Sequence, residues 1–147
     1  MKLDLQRRPD WQIRFNDYIA KTQQRKFRMG GFDCCLWVAG GVRAMTGVDA
    51  MAEFRKKYSS VAGARAALKK YGKGTLWHTL RSKFGEGIPA SRARRGDIAY
   101  MPAEKIAGVN IGTRLGFIIG AEAIFLTDGG YHRVPIALVK KAFRIPF

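Results

Sequence analysis

The chain changes its pattern once, at Gly85-Glu86-Gly87-Ile88-Pro89, and that change constrains the fold more than any other feature. Before this cluster of breakers, apolar residues recur at helical spacing; after it, the apolar runs are short and bounded by turn residues. Helices first and antiparallel strands afterwards is the order of an α+β fold, whereas a doubly wound fold would alternate them. The 147 residues, 47% of them hydrophobic, have the length of one domain and enough apolar content to bury a core, so a single domain over 1–147 is expected. No internal repeat, low-complexity tract or linker divides them.

In the helical half, Trp11, Phe15, Tyr18 and Ile19 share one face, and Asp10 after Pro9 is the expected cap. The loop Arg28-Met29-Gly30-Gly31-Phe32 interrupts the pattern, and Asp33 is suited to cap a helix that begins at Cys34 and ends at Thr46-Gly47. Gly40 and Gly41 fall inside this helix at about 1 kcal/mol each relative to Ala, which predicts close packing of another backbone as compensation. Met51, Phe54 and Tyr58 predict a short third helix after Asp49. Val61, Ala64, Leu68 and Tyr71 predict a fourth, begun by Ser59 or Ser60 and stopped by Gly72, and Leu76 to Phe84 a further one from Thr75. Trp11, Phe15, Trp37, Phe54 and Tyr58 read as core rather than as a sugar-stacking platform.

In the second half, strands are expected near Asp97–Met101, Leu115–Ile119, Ala123–Leu126 and Tyr131–Val134, with Asp128-Gly129-Gly130 as a turn. Pro135 is expected to begin a short helix around Ala137–Ala142.

Charge bounds the partners. Lys and Arg number 27 against 11 Asp and Glu, a net +16 that attracts polyanions, anionic lipid or acidic protein surfaces. The cations read as dispersed, from Arg7 and Arg8 to Lys140 and Lys141, without zinc-finger, helix-turn-helix or RNP-like motifs, so a dedicated nucleic-acid function ranks last. Arg92, Arg94 and Arg95 beside a strand are suited to an acidic partner. The charged N-terminus lacks the apolar core of a signal peptide, and no stretch approaches the roughly 20 apolar residues of a membrane span, so cytoplasmic synthesis is expected. Cys34 and Cys35 are adjacent, a spacing that rarely forms a disulfide, and with His78 and His132 far apart no metal signature exists; no cofactor is expected.

Asp33-Cys34 is the most suggestive chemical element. A thiol in the first turn of a helix feels unpaired backbone N–H groups and the positive end of the dipole, which favour thiolate and are suited to hold an oxyanion. The competing reading is a buried cysteine acting as a small hydrophobe, and Cys35, rotated about 100° around the helix, fits that role better.

Gly-Gly-Phe-Asp-Cys34 opening a helix, then Arg95-Gly96-Asp97-Ile98, then Leu115-Gly116-Phe117-Ile118-Ile119-Gly120, resembles the layout of NlpC-type, papain-like cysteine peptidases. The chain more closely resembles a family of small phage and prophage proteins encoded among tail genes. Those matching stretches are Arg8-Pro9-Asp10-Trp11, Asp33-Cys34, Arg43 to Asp49, Phe54-Arg55, Tyr58-Ser59-Ser60 and Gly96-Asp97. The resemblance implies Cys34 as nucleophile and a catalytic His just before Leu115-Gly116. Arg114 stands there instead, and Arg cannot act as general base. His132 is then the candidate base, ahead of His78, and Asp97 corresponds to the acid that opens the first strand, or is simply a loop cap.

These readings imply a tail-tip structural or assembly protein of the virion, with a catalytically degenerate peptidase-like fold and other tail-tip proteins as partners. An active peptidoglycan hydrolase using Cys34 and His132 is the alternative, and a basic polyanion-binding module is the third.

Overall fold

The computed structural model describes residues 2–147. Helices α1 (Trp11–Thr22), α2 (Cys34–Thr46), α3 (Val61–Tyr71) and α4 (Leu76–Phe84) fill the first half of the chain. The second half holds strands β1 (Ile98–Met101), β2 (Glu104–Ile106), β3 (Val109–Ile111), β4 (Arg114–Ile118), β5 (Glu122–Thr127), β6 (Gly130–Pro135) and β7 (Lys141–Phe143). This is the α+β order expected from the sequence. Five strands form an antiparallel sheet in the order β6-β5-β4-β1-β7, and β2 and β3 form a separate ribbon.

Side-chain caps set three of the helix starts. Asp33 Oδ1 accepts from the Leu36 N–H at 3.0 Å, Ser60 Oγ from Gly63 N–H at 3.0 Å, and Thr75 Oγ1 from His78 N–H at 3.1 Å, each satisfying a donor the first turn leaves unpaired. Gly47, at φ 85°, ends α2 in the left-handed conformation that only glycine adopts without strain. Asp10 does not cap α1; its carboxylate instead accepts from Arg14 Nε at 2.9 Å, one turn along the same helix.

Helix α2 is the centre of the core. Trp37, Val42 and Met45 are fully buried, and Trp37 stacks edge-on against Phe117 of β4, with centroids 5.3 Å apart, while also touching Tyr131 of β6 at 5.2 Å. Its indole N–H donates to Thr22 Oγ1 at 3.1 Å and its carbonyl accepts from Tyr18 O–H at 2.6 Å, so α1 is keyed to α2 by polar groups inside an apolar layer. The glycines of α2 make room for side chains, not for another backbone as expected. A Cβ on Gly41 would lie 2.4 Å from Phe117 Cζ, and one on Gly40 2.2 Å from the Tyr18 hydroxyl.

Both faces of the sheet are covered. Strand alternation sends Leu115, Phe117, Ile124, Leu126 and Tyr131 toward α2. On the other side Ile118, Ala123 and Phe125 pack with Ala99, Met101 and Val139, under the short 3₁₀ turns Ala90–Arg92 and Ile136–Leu138. Arg7 ties the chain's ends to β1. Its guanidinium donates to Asp97 Oδ1 at 2.8 Å, Ile145 O at 2.8 Å and Arg95 O at 2.6 Å, and lies 4.2 Å from the ring centroids of both Trp11 and Phe147.

Two expected helices are corrected, and one element is new. The segment after Pro135 is not a helix over Ala137–Ala142: one 3₁₀ turn gives way to β7, whose Ala142 and Phe143 pair with Ala99 and Ile98. Burial of Phe143 against Trp77, Phe84 and Tyr100 outweighs the local helical preference. The third helix shrinks to a 3₁₀ turn, Ala52–Phe54, because Asp49 binds Arg55, whose backbone is already extended, and Lys56 at φ 61° turns the chain away. The β2–β3 hairpin was not foreseen. Its turn places Ala107 at φ 50° and Gly108 at φ 80°, without the Asn-Gly or Asp-Gly pair that announces such turns.

Candidate functional site

The site forms where α2 begins against the sheet. Asp33, 3% exposed, anchors this corner: Oδ1 caps α2, while Oδ2 accepts from Gly30 N–H at 2.9 Å and from the Tyr58 hydroxyl at 2.5 Å. Burial and the bonded Asp33 carboxylate push the Tyr58 hydroxyl far above its ordinary value, so it remains a donor at every working pH. Asp33 has spent its acceptor capacity on structure. It orients the turn that presents Cys34.

Cys34 and Cys35 are half-buried free thiols. The Cys35 thiol hydrogen-bonds to Cys34, which lowers the Cys34 value and raises that of Cys35 well above a free thiol. Burial opposes the first shift, and backbone N–H groups of Leu115 and Cys35 reinforce it, while the Asp33 charge works against it. The two thiols therefore lose protons in sequence, the first from Cys34. The Leu115 amide comes from β4, so the sheet joins the helix N-terminus in offering donors to sulfur, and to any oxyanion formed beside it.

A cleft of about 870 Å³ opens beside Cys34, between the start of α2, the 51–58 turn, α3 and the adjoining ends of β4, β5 and β6. Its walls are chiefly apolar, with Phe27, Met51, Phe54, Leu68 and Leu76 among them, and Thr113, Arg114, Asp128 and His132 supply polar groups. A cleft of this size admits a peptide segment or a small ligand.

Each candidate from the sequence has a definite place. His132 borders this cleft but is exposed and, being next to Tyr131 in β6, points to the face of the sheet opposite α2; register aligns it with Phe125 and Gly116. No hydrogen bond joins it to Cys34 among the described residues. His78 lies outside the cleft, its Nδ1 2.7 Å from Thr75 Oγ1, in a shallow depression with Lys73, Arg81 and Glu86. Arg114 starts β4 as the spacing implied and lines the cleft, yet its Nη2 donates to Glu104 Oε1 at 3.0 Å, and its Nε is buried without a partner. Asp97 lies apart from Cys34 in the Arg7 cluster, where it also accepts from Arg94 N–H at 2.8 Å and Ile145 N–H at 2.9 Å. It is the loop cap of its second reading, with a buried ion pair added.

Two residues of the site were missed. Tyr58 reads from its spacing as a core aromatic, and nothing local announces a hydroxyl aimed at a residue 25 positions earlier. Glu104 sits in the unforeseen hairpin, and only the fold of that hairpin sets it opposite Arg114. The assembled groups are a thiol biased toward thiolate, two backbone donors and an apolar cleft. Among the described residues no imidazole or carboxylate is hydrogen-bonded to the Cys34 sulfur.

None of the described residues forms a cluster fit to hold a metal ion, and no helix among them is long and apolar enough to cross a membrane. None of the curated proteins or solved structures compared with the chain matches it. A family model does match, over residues 6–145, from the N-terminal segment that carries Arg7 through Cys34 and Arg114 to the final buried Ile145. The chain belongs to that family, described as Domain of unknown function (DUF6950).

Proposed function

We propose that this chain is a structural or assembly protein of a phage or prophage tail tip, built on an NlpC-like, papain-like scaffold that has lost its hydrolytic chemistry. The scaffold reading is supported by a central helix opening at Asp33-Cys34, packed on an antiparallel sheet whose β4 begins at Arg114. The tail-tip reading rests on the likeness of the sequence to tail-associated proteins, an argument from family rather than from chemistry. One observation carries the loss of catalysis: among the described residues Cys34 has sulfur and amide partners but no imidazole, and the side chain at the position of the base is an arginine held by Glu104. Acyl transfer needs a group that accepts the thiol proton and returns it to the leaving amine. The virion is the location this reading gives, and neighbouring tail-tip proteins are the partners.

The test has two arms. Purified tails probed with antibody against the chain should carry it at the tip, and purified chain incubated with peptidoglycan should release no more fragments than the Cys34→Ala variant. A tail without the chain sinks the first statement; release that depends on Cys34 sinks the second.

The lowered Cys34 thiol beside an 870 Å³ cleft favours a second reading, an active peptidoglycan endopeptidase or amidase. There Cys34 attacks the carbonyl, the Leu115 and Cys35 N–H groups hold the oxyanion, and a rearranged β6 brings His132 to sulfur to take the thiol proton and pass it to the amine that leaves as the C–N bond breaks; water then hydrolyses the thioester. It requires fragment release that His132→Ala abolishes.

A further inference from the structure

Between residues 54 and 85 the sequence holds nine Lys and Arg and no Asp or Glu, so these 32 residues supply +9 of the net +16. In the fold this stretch is α3, α4 and the turns around them. Three of the nine are neutralised from outside, Arg55 by Asp49, Arg81 by Glu86 and Lys83 by Glu53. The other six, Lys56, Lys57, Arg65, Lys69, Lys70 and Lys73, are exposed, and among the described residues none has an acidic partner.

Helix α3 gathers them. Its inward side holds Ala64, Ala67 and Leu68, so Arg65 and Lys69, four residues apart, stand on the outward side with only Ala62 and Ala66 between them. Lys57 from the preceding turn and Lys70 from the last turn both approach the Tyr71 ring, with Nζ 5.4 and 5.3 Å from its centroid. The outward side of α3 and its C-terminal end, with the Lys56-Lys57 turn beside it, thus form a cationic surface. Like charges held this close destabilise the fold unless something outside neutralises them.

We propose that this face binds the phosphodiester backbone of duplex nucleic acid without reading its bases. Five of the six cations are Lys, which protein–protein interfaces disfavour and which phosphates accept as point charges. A helix that docks on a membrane surface would carry a row of large apolar side chains beside its cations; α3 exposes only Val61 and Tyr71, at its two ends, with Ala62 and Ala66 between Arg65 and Lys69. Short alanines also leave a flat surface on which a phosphate row can approach the lysine stems. The face is separate from the chemistry of Cys34, so this binding stands or falls independently of the tail-tip reading.

The test is fluorescence anisotropy of a labelled duplex of mixed sequence, titrated with the full chain from about 50 to about 200 mM salt. Six phosphate contacts give a slope of log affinity against log salt near −5, at about 0.9 per contact. Lys69→Gln/Lys70→Gln/Lys73→Gln should flatten the slope by about three and weaken binding at least about tenfold at low salt. Removing the same charge from other exposed sites, in Lys21→Gln/Lys26→Gln/Lys140→Gln, should leave the slope within about one of the parent. All these side chains are exposed, and equal thermal melts check that each variant folds. Equal losses in the two triple variants would reduce the effect to net charge and overturn the proposal. Binding to phosphatidylglycerol vesicles through the same lysines, with no binding of the duplex, would overturn it too.

Discussion

Replacing Arg7 with Met removes the ion pair to Asp97 at 2.8 Å and the hydrogen bonds to the Ile145 and Arg95 carbonyls, at a site where the two side chains are 1% and 3% exposed. Desolvation lowers the Arg7 value and Asp97 opposes that, so the guanidinium is charged and its charge is matched inside the fold. Losing one partner of such a pair costs about 3–5 kcal/mol, because the other is left buried and uncompensated. For a chain of this size that is a fall of about 10 °C in Tm, and a third or more of a typical folding stability. Asp97→Ala should cost a similar amount, since Arg7 would keep only two carbonyls and two aromatic faces. In Arg7→Met/Asp97→Ala both charges leave together, and the loss should fall short of the sum of the singles by about 2 kcal/mol. Urea unfolding of the four proteins, read by Trp fluorescence, gives the cycle. Single variants within about 1 kcal/mol of the parent, or strictly additive losses, would show that the knot does not hold the chain's ends.

Three further outcomes follow from the site and its support. Alkylation of Cys34 should proceed at a pH below that of a free thiol, and Cys35→Ala should move its profile upward by removing the shared hydrogen bond; an unchanged profile would mean the pair is not coupled. Tyr58→Phe deletes a charge-assisted donor to Asp33 and should cost about 1.5–3 kcal/mol in denaturant unfolding, without altering helix content by circular dichroism. Gly116→Ala would place Cβ 2.1 Å from the Ile124 carbonyl oxygen, a backbone atom that cannot swing aside, so soluble yield or Tm should fall by more than in Gly41→Ala, where the obstacle is the Phe117 ring.

Local signals were legible where the physics is local. Asp33, Ser60 and Thr75 are the capping oxygens that the sequence offered, and α2 ends at Gly47 as its spacing required. The limits of α4 follow from Thr75 and Gly85 alone. Strands β1, β4, β5 and β6 each overlap an expected run, because apolar content between turn residues is written within a few positions. Asp10 shows the limit of the same reasoning: an acidic residue before a helix has more than one donor within reach, and Arg14 took it.

The candidate site was legible as a list and not as an arrangement. The sequence determined that Cys34 begins a buried helix behind a capping Asp33, that Arg114 opens a strand, and that the surface is cationic. Only the tertiary structure decided which of these meet. A strand residue faces one side or the other by parity, and His132 lies one position from Tyr131, so packing Tyr131 on Trp37 turned the imidazole away from α2. Arg114 met Glu104 only because the intervening chain folded into the Glu104–Ile111 hairpin, and β7 formed only because β1 was there to pair with it. Caps and periodicity join residues a few positions apart, whereas pairing and burial join residues up to 138 apart, as with Arg7 and Ile145, and no window along the chain contains both partners.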